Sequence, residues 1–245
     1  MDTTRLRRPR RTDKELEKDI LEATKKEIEE KGFANLTVIG ISKRAGIEPS
    51  VFYKRYKDLY DLLGKYIETY DYWYGSLFAA FDGIRCGQYE RYIEEIFVSM
   101  IEFLEKDKSM QELIRWELVE DNAITRNSNR MREENTRQII DALDRHFAGK
   151  TGGINFRAFA AVIIAAVYFL TVHKGRATFC GIDFKSKQGR TILSDTVVGL
   201  ARRVADDRAG VSELAAVAAK MKANGIDPAV IIACTGLDEA VIKKL

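Results

Sequence analysis

The chain has 245 residues, 46% of them hydrophobic and 31% charged, with a formal net charge of +3. That composition buries a core and excludes a disordered polymer, and only three prolines and 17 glycines favour long helices over a turn-rich β protein. The near-neutral total hides an asymmetry: residues 1–57 hold 15 Lys/Arg against 10 Asp/Glu, whereas the remainder holds 25 against 27. A basic amino end on a mildly acidic body suggests a nucleic-acid-binding end and a body with another task.

Several classes drop out. Cys86, Cys180 and Cys234 are odd in number and far apart, which suits a reducing cytosol and neither a disulfide framework nor a zinc site. His146 and His173 lack ligand partners at metal spacing, so no metal and no cofactor is expected. No apolar stretch follows the charged amino terminus, so no secretory leader is expected. The longest apolar run, Ala158 to Val172, is too short for a bilayer and reads as a buried helix, so no membrane partner is expected.

In chain order, residues 1–11 form a flexible basic arm with Arg5, Arg7, Arg8, Arg10 and Arg11 around Pro9. Such an arm is usually only solvated; beside DNA it can follow phosphates or enter the minor groove. Thr12 or Asp13 caps a first helix with an apolar stripe of Leu16, Ile20, Leu21, Thr24 and Ile28, stopped by Gly32. Thr37 caps a short helix from Val38 to Ala45. Gly46 supplies a turn, and Pro49 opens a third helix running to about Tyr56. Asp58 caps a fourth helix whose pattern runs through Leu62, Tyr66, Ile67 and Tyr70 towards Phe81.

Further helices are predicted over 88–106, 109–120, 126–147, 154–180 and 187–207. After a hinge at Arg208-Ala209-Gly210, the tail holds helices from Leu214 to Asn224, after Asp227-Pro228, and after Asp238. No stretch alternates convincingly with period two, so the fold class is all-α. The expected division is the arm at 1–11, a three-helix DNA-binding domain with a helix-turn-helix at 12–57, a helical ligand-binding and dimerisation domain at 58–208, and a short helical appendage at 209–245.

Two short helices crossing about Ala45 and Gly46 form a helix-turn-helix. Ile41, Ile47 and Phe52 are expected to point inward, leaving Ser42, Lys43, Ser50, Tyr53, Lys54 and Arg55 outside, where basic and hydroxyl groups suit phosphates. Residues 13–62 resemble the DNA-binding domain of the tetracycline-repressor-like (TetR) family. Gly32-Phe33, Thr37-Val38, Ile41, Lys43-Arg44-Ala45-Gly46-Ile47, Phe52-Tyr53, Tyr56-Lys57 and Leu62 carry the resemblance.

The resemblance implies that Thr37 and Tyr53 hold phosphates, that Lys43 lies near the groove, and that Ser50 and Val51 meet base edges or thymine methyls. Arg55, standing where a histidine is common, meets the backbone, as does Lys57. Three departures are Glu48 at a usual Ser/Thr cap, Ile39 at a usually polar position, and Leu59 where a lysine is common.

The resemblance further implies a cytoplasmic, ligand-responsive regulator, most simply a repressor, that binds a quasi-palindromic double-stranded operator as a homodimer and is not an enzyme. Ile154–Cys180 and Lys187–Asp207 would form the dimer interface. An unidentified small-molecule effector would sit among body aromatics. Eight of these crowd residues 60–81, and the tentative pocket comprises Tyr66, Tyr70, Trp73, Tyr74, Phe103, Trp116, Tyr168 and His173. The alternative is a helical small-molecule-binding protein or enzyme that retains a helix-turn-helix head, although no phosphate loop, nucleophile elbow or HExxH is present. Ile231 to Leu237 echoes the Ile41 to Ile47 spacing, but Asp238 and Glu239 open its would-be reading helix, which argues for a packing or partner-binding role.

Overall fold

The computed structural model describes residues 11–70, 89–148, 151, 153–205 and 208–244, with side chains omitted over 208–213. Among the described residues there are twelve α-helices and no strand, so the all-α expectation holds. They are α1 (Asp13–Lys31), α2 (Val38–Ala45), α3 (Pro49–Tyr53), α4 (Leu59–Thr69), α5 (Tyr89–Lys106), α6 (Lys108–Val119), α7 (Ala123–Phe147), α8 (Phe156–His173), α9 (Lys187–Ala205), α10 (Arg208–Ala223), α11 (Pro228–Thr235) and α12 (Glu239–Lys244). The chain divides into two compact units. One comprises Met1–Gly75, Phe103–Thr136 and Thr171–His173, and the other the remainder.

In the first unit, local chemistry sets the helix ends. Thr12 accepts from the Glu15 amide while Glu15 accepts from the Thr12 amide, a reciprocal capping box. The Thr12 N–H also holds the Glu15 carboxyl below its ordinary range. Thr37 accepts from the Gly40 amide at the start of α2, and Asp58 from the Asp61 amide at the start of α4. Gly46 has φ +64 and ψ +44, a left-handed turn that a side chain would strain.

Ile20 and Ala23 of α1, Ile41 and Ala45 of α2, Phe52, Tyr56 and Leu62 close into one buried cluster. Ile47 packs against that cluster only partly buried. Elsewhere in this unit, the Trp116 ring stacks on Phe33 with centroids 4.5 Å apart and planes 2° from parallel.

In the second unit, Tyr92, Ile93, Phe97, Ile139, Leu143, Phe147, Phe156, Ile163 and Val167 are buried, and burial raises the Tyr92 phenol to about 12. Arg157 reaches both Asp141 and Asp144 at 2.7 Å, and Arg202 grips Glu94 with two bonds of 2.7 Å.

The same unit holds the tail, which closes its own small core of Ala218, Ile231, Leu237 and Ile242. Gly236 turns it with φ +66, and Ile231, Thr235, Gly236 and Leu237 occupy the places that Ile41, Ala45, Gly46 and Ile47 hold in the head. The tail is thus a second helix-turn-helix shape, with an ion pair of Lys243 and Glu239 on its last helix.

Four sequence expectations need correction. Helix α4 stops at Thr69, not at Phe81: Tyr70 is extended, and the Thr69 hydroxyl donates back to the Lys65 and Tyr66 carbonyls. Residues 154–180 are not one helix: α8 ends at His173, and Phe179 and Ile182 pair across a two-residue turn in which Cys180 and Gly181 both have positive φ. Arg208-Ala209-Gly210 is no hinge but the first turn of α10.

Nor is α8 buried on most sides. Only 33% of it is buried, and by length and composition it is the one helix among the described residues apolar enough to cross a membrane. Val162 is 65% exposed and Phe169 45%, on a face with Ala158, Ala161, Ala165 and Ala166. On α9, Ile192 and Leu200 are also exposed.

Candidate nucleic-acid interface

Periodicity builds the outward face of α3. Phe52 is fully buried, which turns its neighbours Ser50, Tyr53 and Lys54 to solvent, with Tyr53 58% exposed. Val51 is half-buried, and Lys43 on α2 and Lys57 before α4 are exposed. None of Lys43, Lys54 and Lys57 has an ion partner among the described residues, so three ammonium groups and the Tyr53 and Ser50 hydroxyls remain for a ligand. The Thr37 oxygen accepts the cap bond from Gly40, which leaves its O–H free to donate. This set suits phosphate oxygens flanking a groove reader.

Two other cations are committed inward. Arg55, half-buried at the end of the reading segment, pairs with Asp13 at 2.6 Å. Arg44, part of the family-like motif, donates through Nε to Glu27 at 2.6 Å and through its terminal nitrogens to Glu30. Glu27 is almost wholly buried and also accepts from Lys31. The Lys31 hydrogen bond, opposed by burial and aided by Arg44, holds the Glu27 carboxyl below its ordinary range. Its sequence signal was a carboxylate one turn after Ala23 and Thr24, on the face that α1 buries.

Ser42 is the clearest correction. It was expected outside, yet it is 1% exposed and its hydroxyl has no hydrogen-bond partner among the described residues. It follows Val38 by four positions and precedes Ala45 by three, so α2 folds it inward.

Sequence reasoning also missed Arg11 as an anchor. Its guanidinium donates to the carbonyls of Ala45 and Gly46 at 2.9 Å each and pairs with Asp19 at 2.6 Å, tying the start of the chain to the turn of the helix-turn-helix. The rest of the arm, residues 1–10, lies outside the described residues.

Of the expected effector residues, Trp73 and Tyr74 lie outside the described residues. Tyr66 is buried, with its ring 5.5 Å from that of Tyr70, and both line a groove of about 590 Å³ with Leu21, Lys25 and Lys65. Trp116 is buried in its stack on Phe33. Phe103, Tyr168 and His173 are half-buried. Tyr168 belongs to the second unit, and the others described belong to the first.

The sequence profile of the bacterial regulatory proteins of the tetR family matches residues 20–65, which span α1 from its first buried turn to most of α4. The amino-terminal head is a tetR-family domain. No curated protein matches the chain.

Solved structures resemble the chain over most of its length. FadR from Bacillus subtilis, crystallised in complex with stearoyl-CoA, is 17% identical, with a TM-score of 0.56 over 75% of this chain and 96% of its own. A transcriptional regulator of the TetR family from Rhodococcus sp., described as putative, is 17% identical, with a TM-score of 0.54 over 78% and 100%. FadR from Bacillus halodurans is 17% identical, with a TM-score of 0.53 over 79% and 96%. At these identities the likeness is one of fold.

Proposed function

We propose that the protein is a DNA-binding transcriptional regulator, a repressor that binds a quasi-palindromic operator as a homodimer in the cytoplasm and is released by a small-molecule effector. The observation that carries this reading is the face of Thr37, Lys43, Ser50, Tyr53, Lys54 and Lys57, a band of unspent donors and cations around one short exposed helix on a tetR-family head. Residues 12–57 read DNA, 58–208 bind the effector and dimerise, and 209–245 are an appendage.

The dimer reading rests on α8 and α9. One recognition helix reads only a few base pairs, and a two-fold pair supplies two half-sites. A helix apolar on nearly all sides needs cover on nearly all sides. Ala158, Ala161, Val162, Ala165, Ala166 and Phe169 await it, and the four alanines let a second copy pack closely.

The effector reading rests on the family resemblance and the crowd of Tyr and Trp, with FadR and stearoyl-CoA as a small molecule bound in the same fold. A ligand that prefers the geometry unable to bind DNA depletes the bound form. No catalytic role is assigned.

The test is fluorescence anisotropy of the full chain with duplexes tiled across the region upstream of its own gene. The expected result is saturable binding to one duplex, with log affinity falling linearly with log salt. Negligible binding to every duplex overturns the reading.

A further inference from the structure

Glu48 departs from the family pattern, and its surroundings say what it does. Its carboxylate is exposed in the turn before α3 and makes no cap hydrogen bond to the start of that helix. Among the described residues it has no ion pair and no hydrogen bond. Cations are nevertheless near: Arg11, Lys54 and Arg55 line the same groove of about 680 Å³, together with Val51. Arg11 is spent on Asp19 and two carbonyls, and Arg55 on Asp13.

A bare acid on a surface that approaches a polyanion weakens binding unless a donor meets it. Phosphates offer none. In the major groove the base-edge donors are the amino groups of cytosine and adenine. Adenine sets its own N7 acceptor beside that donor, which repels the second carboxylate oxygen, whereas cytosine presents N4–H₂ with no acceptor of its own there. Glu48, Val51 and Lys54 follow one another at intervals of three along one side of the reading segment, and Ser50 and Tyr53 lie outside that groove.

We propose that Glu48 reads a base: its carboxylate accepts from cytosine N4 in each half-site and makes that cytosine a fixed letter of the operator. The inference rests on the DNA-binding reading of the same face and goes beyond it by naming a base and the side chain that selects it.

The test selects duplexes from a random pool with the full-length wild type, Glu48→Ala and Glu48→Gln, then measures each on matched duplexes by anisotropy. The wild type should enrich a cytosine in each half-site and bind roughly 5- to 100-fold more weakly when that base pair is changed. Glu48→Ala should bind all four variants of that position alike. Glu48→Gln should shift the preference to adenine, whose N6 and N7 an amide matches. If all three proteins bind and select the same motif with the same discrimination, this inference falls while the DNA-binding reading stands. If the wild type binds no duplex, both fall.

Discussion

The Arg55 guanidinium lies 2.6 Å from the Asp13 carboxylate, joining the end of the reading segment to the first turn of α1. Asp13 is almost fully exposed, so the pair is weakly held and a DNA phosphate can displace the acid. Asp13→Asn should therefore tighten operator binding roughly 2- to 5-fold near 0.1 M salt. It should also steepen the salt dependence by up to about one phosphate contact. The double variant with Arg55→Ala should lose the gain. Anisotropy titrations across a salt series check this, and an unchanged affinity in Asp13→Asn would assign Arg55 a purely structural role.

Glu27 ties α1 to α2 by accepting from Lys31 and Arg44. Its carboxyl is held low in the folded state, so the stability it contributes is present above its ordinary range near 4.5 and is lost as pH falls through the lower folded value. Glu27→Gln should cost about 1.5–3 kcal/mol at pH 7. It should also flatten the fall in stability as pH drops below the ordinary carboxylate range. Urea melts at stepped pH measure both, and parallel curves for the two proteins would contradict it.

Ser42 buries a hydroxyl that no group among the described residues answers. Replacing it with alanine removes an unmet polar group and leaves the methylene packing in place. Ser42→Ala should raise stability by up to about 1 kcal/mol and leave operator affinity within twofold. Loss of affinity would return Ser42 to the DNA face.

Val162 lies in the middle of the exposed face of α8. The wild type should sediment at twice its 27.9 kDa chain mass. Val162→Glu would bury a charge in the proposed interface and should shift the protein to monomer, with operator affinity falling at least tenfold because one head then binds alone. Analytical ultracentrifugation decides, and a persistent dimer would move the interface elsewhere.

The helices and the turn were legible because their causes are local. Thr12, Thr37 and Asp58 cap with their own side chains, and Gly46 and Gly236 supply left-handed turns, so short-range spacing carries that information. Ser42 was misread because its hydroxyl looked like a surface group, although its spacing from Val38 and Ala45 put it inside. The helical span to Cys180 overran because the break is carried by Lys174-Gly175-Arg176, just past the apolar run that ends at Val172, and Cys180 and Gly181 then turn the backbone again.

The sequence by itself determined that a short helix followed by basic residues would stand outward near the amino end, since burying Phe52 at helical spacing forces Tyr53 and Lys54 into solvent. Only the tertiary structure decided which cations there remain unspent. Arg11, Arg44 and Arg55 meet Asp19, Glu27 with Glu30, and Asp13, while Lys43, Lys54 and Lys57 meet no acid among the described residues. Ion pairing depends on distances of a few ångströms between side chains far apart along the chain, and residue periodicity does not encode those distances.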